Sequence, residues 1–302
     1  MTQIKVDKEK CVGCGSCIEL CPYKALRMRE QKADYFLEAC FLCGHCEAVC
    51  PVGAVQMATG LSALNLANVV ESQSVKTLSS LETADLVSLM RSRRSCRRYK
   101  KENVSMSILE DLVKIGTTAP SGTNSQGWNF TILPTRDEVL VLGGRVAEYF
   151  KKLNRQAENV LLRTIIKYVG GDSLGRYYRN HYPSVSEALR EWEDDGVDRL
   201  FHGAPATLLV TGKLSSSCPA EDALLATQNI LLAAHSMGLG SCLIGFAVEA
   251  MRRDLAIMKK MEIPDGEQIY SVIALGIPAF EFKRPARRRA VLPRVLRFDR
   301  EN

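Results

Sequence analysis

Eight of the chain's eleven cysteines fall into two short runs. The first, CVGCGSCIELCP at residues 11 to 22, holds Cys11, Cys14, Cys17 and Cys21 and ends on a proline. Four thiols this close can tie a disulfide knot, hold zinc or wrap an iron–sulfur cluster. The second run repeats the first 29 residues later, as Cys40, Cys43, Cys46 and Cys50. The same offset carries Gly15 to Gly44, Pro22 to Pro51, Ala25 to Ala54 and Met28 to Met57, so one unit has been duplicated.

The duplication separates the three chemistries. Cysteines two residues apart pair poorly with each other, and disulfides are scarce in a reducing compartment. Zinc usually takes its ligands as two pairs and has no use for a third thiolate at the same spacing. A cubane has four iron corners. C-x2-C-x2-C wraps three, and in the bacterial two-cluster arrangement the fourth ligand comes from the other run. On that pattern one [4Fe–4S] cluster takes Cys11, Cys14, Cys17 and Cys50, and the other takes Cys40, Cys43, Cys46 and Cys21. Gly13, Gly15 and Gly44 permit tight turns that bring backbone N–H groups near cluster sulfurs, and Pro22 and Pro51 end the turns carrying the last cysteines. Residues 1 to 57 resemble a two-cluster bacterial ferredoxin, which carries single electrons and does no organic chemistry itself. Cys96, Cys218 and Cys242 are scattered and read as structural.

A second kind of chemistry lies downstream. RRSCR, residues 93 to 97, gathers Arg93, Arg94 and Arg97 around Ser95. Guanidinium forks grip phosphate oxygens bidentately and the hydroxyl adds one hydrogen bond, although alone the motif is also a solvated basic helix end. PSGTNSQ, residues 120 to 126, lets the backbone approach a flat ligand and offers the amides of Asn124 and Gln126; alone it is a polar turn. The formal charge of +6 arises after residue 57, much of it in RSRRSCRRYKK (91 to 101) and KRPARRR (283 to 289). Two local knots suit specific anions better than a nucleic-acid surface.

These residues need elements to hold them. At 302 residues the chain exceeds one ordinary core, which predicts two domains. Residues 58–80 lack a clean period and read as a linker with room for a short helix, and 81–302 form the second domain. Leu81, Leu86, Leu89 and Met90 outline a helix leading to the first basic knot. The Ser107-to-Glu110 spacing is that of a capping box opening an amphipathic helix at 108–115. Strands are expected at 128–133, 206–210 and 270–275, with a buried helix at 223–235 that is apolar nearly all round. Residues 150–200 are helical, charged and aromatic, as an insertion or a lid would be. Helices flanking a few strands make the class α+β.

Taken in order, RRSCRRY, APSGTNSQGW, HGAPATLLV, MGLGSCLIGF, ALGIP and a basic tail resemble the nitroreductase family of flavoproteins over roughly residues 82–298. The whole chain is similar to fusions of a ferredoxin module with such a domain. The resemblance implies a nitroreductase-like central sheet flanked by helices, in an intertwined homodimer with FMN at the subunit interface. It implies that Arg93, Arg94, Ser95 and Arg97 hold the phosphate and ribityl end, with Arg288 or Arg289 adding a second cation. Pro120, Ser121, Gly122 and Asn124 would reach the FMN from the partner subunit. Leu243, Ile244 and Gly245 would face the reactive edge of the isoalloxazine, their N–H groups tuning N5 and O4. Two features depart from the family: Gly127 stands where proline is usual, and the short glycine stretch at Gly245 has no acidic neighbour. The second weakens the parallel with NAD(P)H-using relatives.

Single residues weigh less. Tyr177, Tyr178, His181 and Tyr182 lie in the lid-like segment, where a surface helix competes with substrate contact. His202 at a strand entrance reads as structural, His235 as a core or interface histidine, and Cys96 and Cys242 as small-residue packing. No residue is required as a general acid, so no catalytic side chain is assigned. MTQIKVDKEK carries no apolar run, and the longest apolar stretches are too short to span a bilayer, which predicts a cytoplasmic protein without membrane or nucleic-acid partners. The expected function is that of an FMN-dependent oxidoreductase fed one electron at a time by its own two clusters. An external low-potential, ferredoxin-like donor would load them, and a small nitroaromatic or quinone-like acceptor would be reduced. The alternatives are NAD(P)H oxidation at the flavin with the clusters as exit, a non-catalytic carrier or redox sensor, and a scaffold without flavin.

Overall fold

The computed structural model describes residues 4–36, 40–57, 64–70, 82–285 and 287–297. In the N-terminal module, β1 (Ile4–Val6) leads to the first cysteine run and its single-turn helix α1 (Ser16–Glu19). A hairpin follows, β2 (Leu26–Arg29) and β3 (Lys32–Tyr35), turning at Glu30 and Gln31 with φ of +51° and +60°. Two successive left-handed residues are what a two-residue hairpin turn demands. The second run contains α2 (His45–Ala48), and β4 (Val55–Met57) returns to pair antiparallel with β1. The core is Ile4, Leu26, Ala33, Ala54 and Val55 with Cys11, Cys17 and Cys46. Apolar burial on this scale rarely holds a domain alone, and bound metal supplies the difference in such modules.

After α3 (Thr83–Ser92) and α4 (Met106–Gly116), the second domain is built on a four-stranded antiparallel sheet in the order β5-β6-β8-β7. The strands are β5 (Trp128–Leu133), β6 (Ala206–Lys213), β7 (Gly240–Leu243) and β8 (Glu267–Gly276). Strand alternation sends neighbouring residues to opposite faces. Leu208, Val210, Ile273 and Leu275 meet Leu109, Leu112 and Ile230 of α4 and α9 (Pro219–Ser236). Leu209, Val272 and Ala274 meet the other core, formed by α5 (Arg136–Glu158), α10 (Gly245–Arg253) and α11 (Leu255–Lys260). The sheet is therefore covered on both sides. Between β5 and β6 lie α5, α6 (Val160–Gly170), α7 (Ser173–Asn180) and α8 (Tyr182–Asp194). Helices packed on an antiparallel sheet make the fold α+β, as the sequence implied.

Several local expectations need correction. α4 begins at Met106 with Ser105 at its N-cap, so Ser107 and Glu110 make no capping box. The capping box is at α5, where Thr135 N donates to the Glu138 carboxylate at 3.0 Å. α9 is not buried all round: Ala223, Ala226, Ile230 and Ala234 are buried, while Leu224 and Leu225 on the other side are exposed. β7 was not anticipated as a strand because four residues starting on glycine carry no period. In the linker, residues 64–70 form a bend and no helix; 58–63 and 71–81 lie outside the described residues, as does Leu81.

The described part of the linker is tied to α4. Ala67 N and Asn68 N donate to the Asp111 carboxylate at 2.9 and 2.7 Å, Asn68 Nδ2 adds a bond at 2.8 Å, and Lys114 Nζ donates to Asn65 O. Burial pushes the Asp111 carboxyl up, but these N–H donors and the Lys114 charge outweigh it and hold it below the usual range. Among the described residues, no helix is long and apolar enough to cross a membrane.

Candidate functional site

The duplicated cysteines sort into two cavities. Cys11, Cys14, Cys17 and Cys50 line one, together with Val12, Gly13, Gly15 and Val55. Cys21, Cys40, Cys43 and Cys46 line another, with Tyr23, Phe41 and His45. Each cavity thus takes three thiols from one run and one from the other. Among the described residues no three His, Cys, Asp or Glu side chains converge on a single-ion position; the thiols surround spaces instead. No cysteine forms a disulfide.

Backbone geometry prepares those thiols. Ala25 N donates to Cys21 Sγ at 3.3 Å, and Ala54 N, its counterpart 29 residues on, donates to Cys50 Sγ at 3.2 Å. Ala33 N and Leu42 N reach Cys11 Sγ and Cys40 Sγ at 3.5 and 3.4 Å. N–H donors favour the thiolate, the form that binds iron. Burial pushes the Cys46 thiol up to about 11 and raises Cys17 likewise. The Ser16 N–H lowers Cys14, and at Cys50 the N–H groups from Val52 to Val55 overcome the effect of burial. Gly15 and Gly44, at φ of +80° and +74°, turn the chain into α1 and α2.

The second domain holds a cavity of about 970 Å³ between α5, the α6–α7 segment and the β7–α10 junction. Leu243, Ile244, Gly245 and Arg97 lie on its wall, as does Cys242. The first N–H groups of a helix have no intrahelical acceptor, and α10 starts at Gly245. A Cβ at Gly245 would meet nothing within 4 Å, so a flat group has open access there. Arg97 has no ion-pair partner among the described residues, nor does Arg176 across the cavity, whereas Arg199 is bound by Glu187 and Glu191 and Arg253 by Glu249. Glu249 lines the cavity one helical turn beyond Gly245, an acidic neighbour that adjacency in the sequence did not show.

The lid-like segment takes part in this wall. Phe150, Tyr177, His181 and Phe246 form a chain of rings, with Phe150 and Phe246 edge to face at 5.4 Å and His181 and Phe246 at 6.0 Å. Tyr177 Oη donates to the buried Asn154 Oδ1 at 2.7 Å, and burial raises its phenol. Tyr177 and His181 are therefore wall residues, whereas Tyr178 and Tyr182 stack on each other at 4.9 Å away from the cavity. His202 also lines the wall, and burial lowers its pKa. His235 accepts or donates at 2.8 Å with Ser92 Oγ at the end of α9. Cys96 is a packing residue: a Cβ at Gly240 would fall 2.7 Å from its sulfur.

Other expected residues lie outside this cavity. Arg93 caps α3, Arg94 sits 4.9 Å over the Phe282 ring, and Ser95 bridges Ser241, next to the wall residue Cys242. Arg288 and Arg289 belong to an exposed tail without regular secondary structure. Pro120, Ser121, Gly122 and Asn124 form a loop seated on the start of α9. Gly122 N and Ser125 Oγ donate to the buried Asp222 carboxylate at 2.9 and 3.0 Å, an anchor whose only sequence signal was the acidic pair Glu221–Asp222 opening an apolar helix. Asn124 Nδ2 donates to Phe41 O and Leu42 O at 3.1 and 2.8 Å, joining this loop to the second cysteine cavity. Gly127 has a local reason: a Cβ there would meet Ser216 Oγ at 1.8 Å.

Residues 90–277 match the family model "Nitroreductase family" and residues 6–54 match "4Fe-4S dicluster domain". An iodotyrosine deiodinase of Thermotoga neapolitana is 30% identical over 160 residues, 52% of this chain and 71% of that protein. An NADH dehydrogenase of Thermus thermophilus is 28% identical over 191 residues, 63% of this chain and 84% of its own length. The fold is similar to that of a nitroreductase from Bacteroides fragilis solved with bound FMN, with a TM-score of 0.52 at 20% identity, covering 70% of this chain and 98% of that one.

Proposed function

Because this chain belongs to the nitroreductase family of oxidoreductases and opens with a 4Fe-4S dicluster domain, we propose that it moves electrons from two [4Fe–4S] clusters to FMN and on to a small organic acceptor. One observation carries the reading: two four-cysteine cavities share a chain with a large, ring-lined cavity bearing an unpaired Arg97. The cluster ligands are Cys11, Cys14, Cys17 and Cys50, and Cys40, Cys43, Cys46 and Cys21. FMN, when bound, collects two single electrons and releases them as a pair. Arg97 holds its phosphate end; Ser95 is bridged to Ser241 beside the wall residue Cys242, and Arg93 and Arg94 stand off the cavity wall, where they add positive charge only. The N–H groups at Leu243 and Gly245 face its polar edge, while Ile244, whose own N–H donates to Val272 O at 2.9 Å, fixes that stretch to β8. Phe150, Tyr177, His181 and Phe246 exclude water and offer faces for an aromatic acceptor, nitroaromatic or quinone-like.

A second copy of the chain completes the assembly in this reading. Val291, Leu292, Val295 and Leu296 are 72–94% exposed on the C-terminal tail, and Leu224 and Leu225 are exposed on α9. Apolar surface of this extent is normally covered. A homodimer would bring Pro120, Ser121 and Gly122, with the backbone at Asn124, and Arg288 or Arg289 to a neighbouring flavin; the Asn124 amide itself is taken by Phe41 O and Leu42 O. Free thiols destined for clusters suit the reducing cytoplasm.

Anaerobic purification with iron, sulfide and flavin counts is the first test, and about eight irons with one FMN per chain are expected. Zinc in their place would end the proposal. A Cys11→Ala/Cys40→Ala chain that retains FMN should lose turnover driven by reduced ferredoxin. The likeness to an NADH dehydrogenase favours a second reading, in which NADH or NADPH reduces the flavin directly; rapid-mixing reduction by either nucleotide separates the two. The volume of the ring-lined cavity, about 970 Å³, weighs against a carrier with a closed flavin.

A further inference from the structure

Asn124 joins the two domains, and its amide is fully engaged in doing so. Both of its N–H donors go to backbone carbonyls, Phe41 O at 3.1 Å and Leu42 O at 2.8 Å, and its oxygen accepts from Gln126 Nε2 at 3.2 Å. Phe41 and Leu42 lie between Cys40 and Cys43. Phe41 also lines the second cysteine cavity, with Tyr23 tilted against it at 4.9 Å.

The backbone on both sides of this contact is unusual. Leu42 has φ of +57° and Asn124 φ of +53°. Asparagine visits that region readily, whereas leucine does so at a cost that the surroundings must offset. The counterpart of Leu42 in the first run is Gly13, at φ of +73°, which adopts the same turn freely. The first run makes a different contact. A Cβ at Gly13 would fall 2.2 Å from Gln31 O of the hairpin, while Val12 and Cys14 face solvent.

We propose that Asn124 is an inter-domain positioning residue that latches the Cys40–Cys43 loop onto the FMN domain. The cluster held by Cys21, Cys40, Cys43 and Cys46 is then the exit of the module, and the face that exposes Val12 and Cys14 is where a one-electron donor protein docks. The assignment of exit and docking side rests on the relay proposed above; the latch itself does not. Each donor molecule is oxidised by one electron at the first cluster. Two such transfers supply the pair that FMN takes up with protons from solvent.

The test uses the full-length, cluster- and flavin-loaded protein. Asn124→Gly keeps the left-handed backbone and deletes the amide, and Asn124→Asp keeps the size but has no N–H to give. In both, amide exchange of residues 40–46 should accelerate about tenfold while residues 11–17 stay unchanged, as expected for two lost hydrogen bonds. In an EPR-monitored redox titration one cluster midpoint should shift and the other hold, and a Cys43→Ser chain identifies which signal belongs to the second cavity. Unchanged exchange at 40–46, equal acceleration in both runs, or a shift confined to the first cluster would overturn the latch. Should both variants fail to fold, the unmutated protein decides: 40–46 must exchange more slowly than 11–17, and the reverse order overturns the proposal. Absence of FMN from the purified chain would sink the relay and leave the latch standing.

Discussion

Residues 13 and 42 occupy the same place in the two cysteine runs, and both adopt a left-handed backbone, yet one is glycine and the other leucine. Around Gly13 the chain is closed over by Gln31 of the β2–β3 hairpin, which leaves no room for a Cβ. Around Leu42 the neighbour is Asn124 of the second domain. The N–H bonds from Ala25 and Ala54 to Cys21 and Cys50 repeat between the runs, whereas Cys11 takes its bond from Ala33 of the hairpin and Cys40 from Leu42 of its own loop. Spacing thus sets the metal chemistry of each run, while the surroundings set which run faces which neighbour.

The sharpest way to break this comparison is to remove cysteines in pairs. Cys21→Ala and Cys43→Ala should each cost about half the iron, and the double variant no more than either, because both thiols line one cavity. Cys14→Ala with Cys43→Ala should cost nearly all of it. If Cys21→Ala instead grouped with Cys14→Ala in iron analysis, the crossed arrangement would be wrong.

Next in size is the exchange of residue types between the loops. Gly13→Ala meets Gln31 O and a positive φ together and should destabilise the module by about 2–4 kcal/mol in thermal unfolding. Leu42→Gly relieves strain but frees the unfolded chain, so its effect should lie within about 1 kcal/mol. Equal losses at both positions would erase the distinction between them.

A smaller effect is expected at the loop anchor. Asp222→Ala removes the acceptor for Gly122 N and Ser125 Oγ and should cost about 1–3 kcal/mol, read from the unfolding midpoint. Amide exchange should rise at 120–126 before it rises in the sheet.

The smallest effect concerns pH and contrasts two tethers. Asp111 holds the 64–70 segment through a carboxylate whose folded pKa is depressed, so its contribution is present above the ordinary carboxylate pKa and lost as pH falls through the folded one. Asn124 holds the 40–43 loop through a neutral amide. Limited proteolysis on acidification should therefore release 64–70 while the contact at Phe41 and Leu42 persists. Loss of both over the same pH range would show that something other than Asp111 titrates.

Much of the chemistry was legible in the sequence because it is written in spacing. The duplicated cysteines, the left-handed glycines at 15 and 44, and strands β5, β6 and β8 follow from local periodicity. The cavity in the second domain was legible only in part. Arg97 and 243–245 were found through motifs, but Phe150, Arg176 and Phe246 were not, since their ring and charge positions depend on how α5, α7 and α10 cross. The lid histidine and tyrosines could not be sorted one by one from sequence: Tyr177 and His181 face the cavity while Tyr178 and Tyr182 turn away. Helical phase relative to a distant strand decides that.

By itself, the sequence determined the kind of chemistry: eight thiolates in two repeated frames, and guanidinium, glycine and amide motifs in the order of a flavin-binding family. Only the tertiary structure decided the pairings, because they join residues far apart along the chain. Glu249 comes to the wall that Gly245 begins, Asp222 anchors a loop a hundred residues upstream, and Asn124 turns to Phe41 and Leu42. Local propensity carries no information on such contacts; they form when buried faces dock and remaining donors find acceptors.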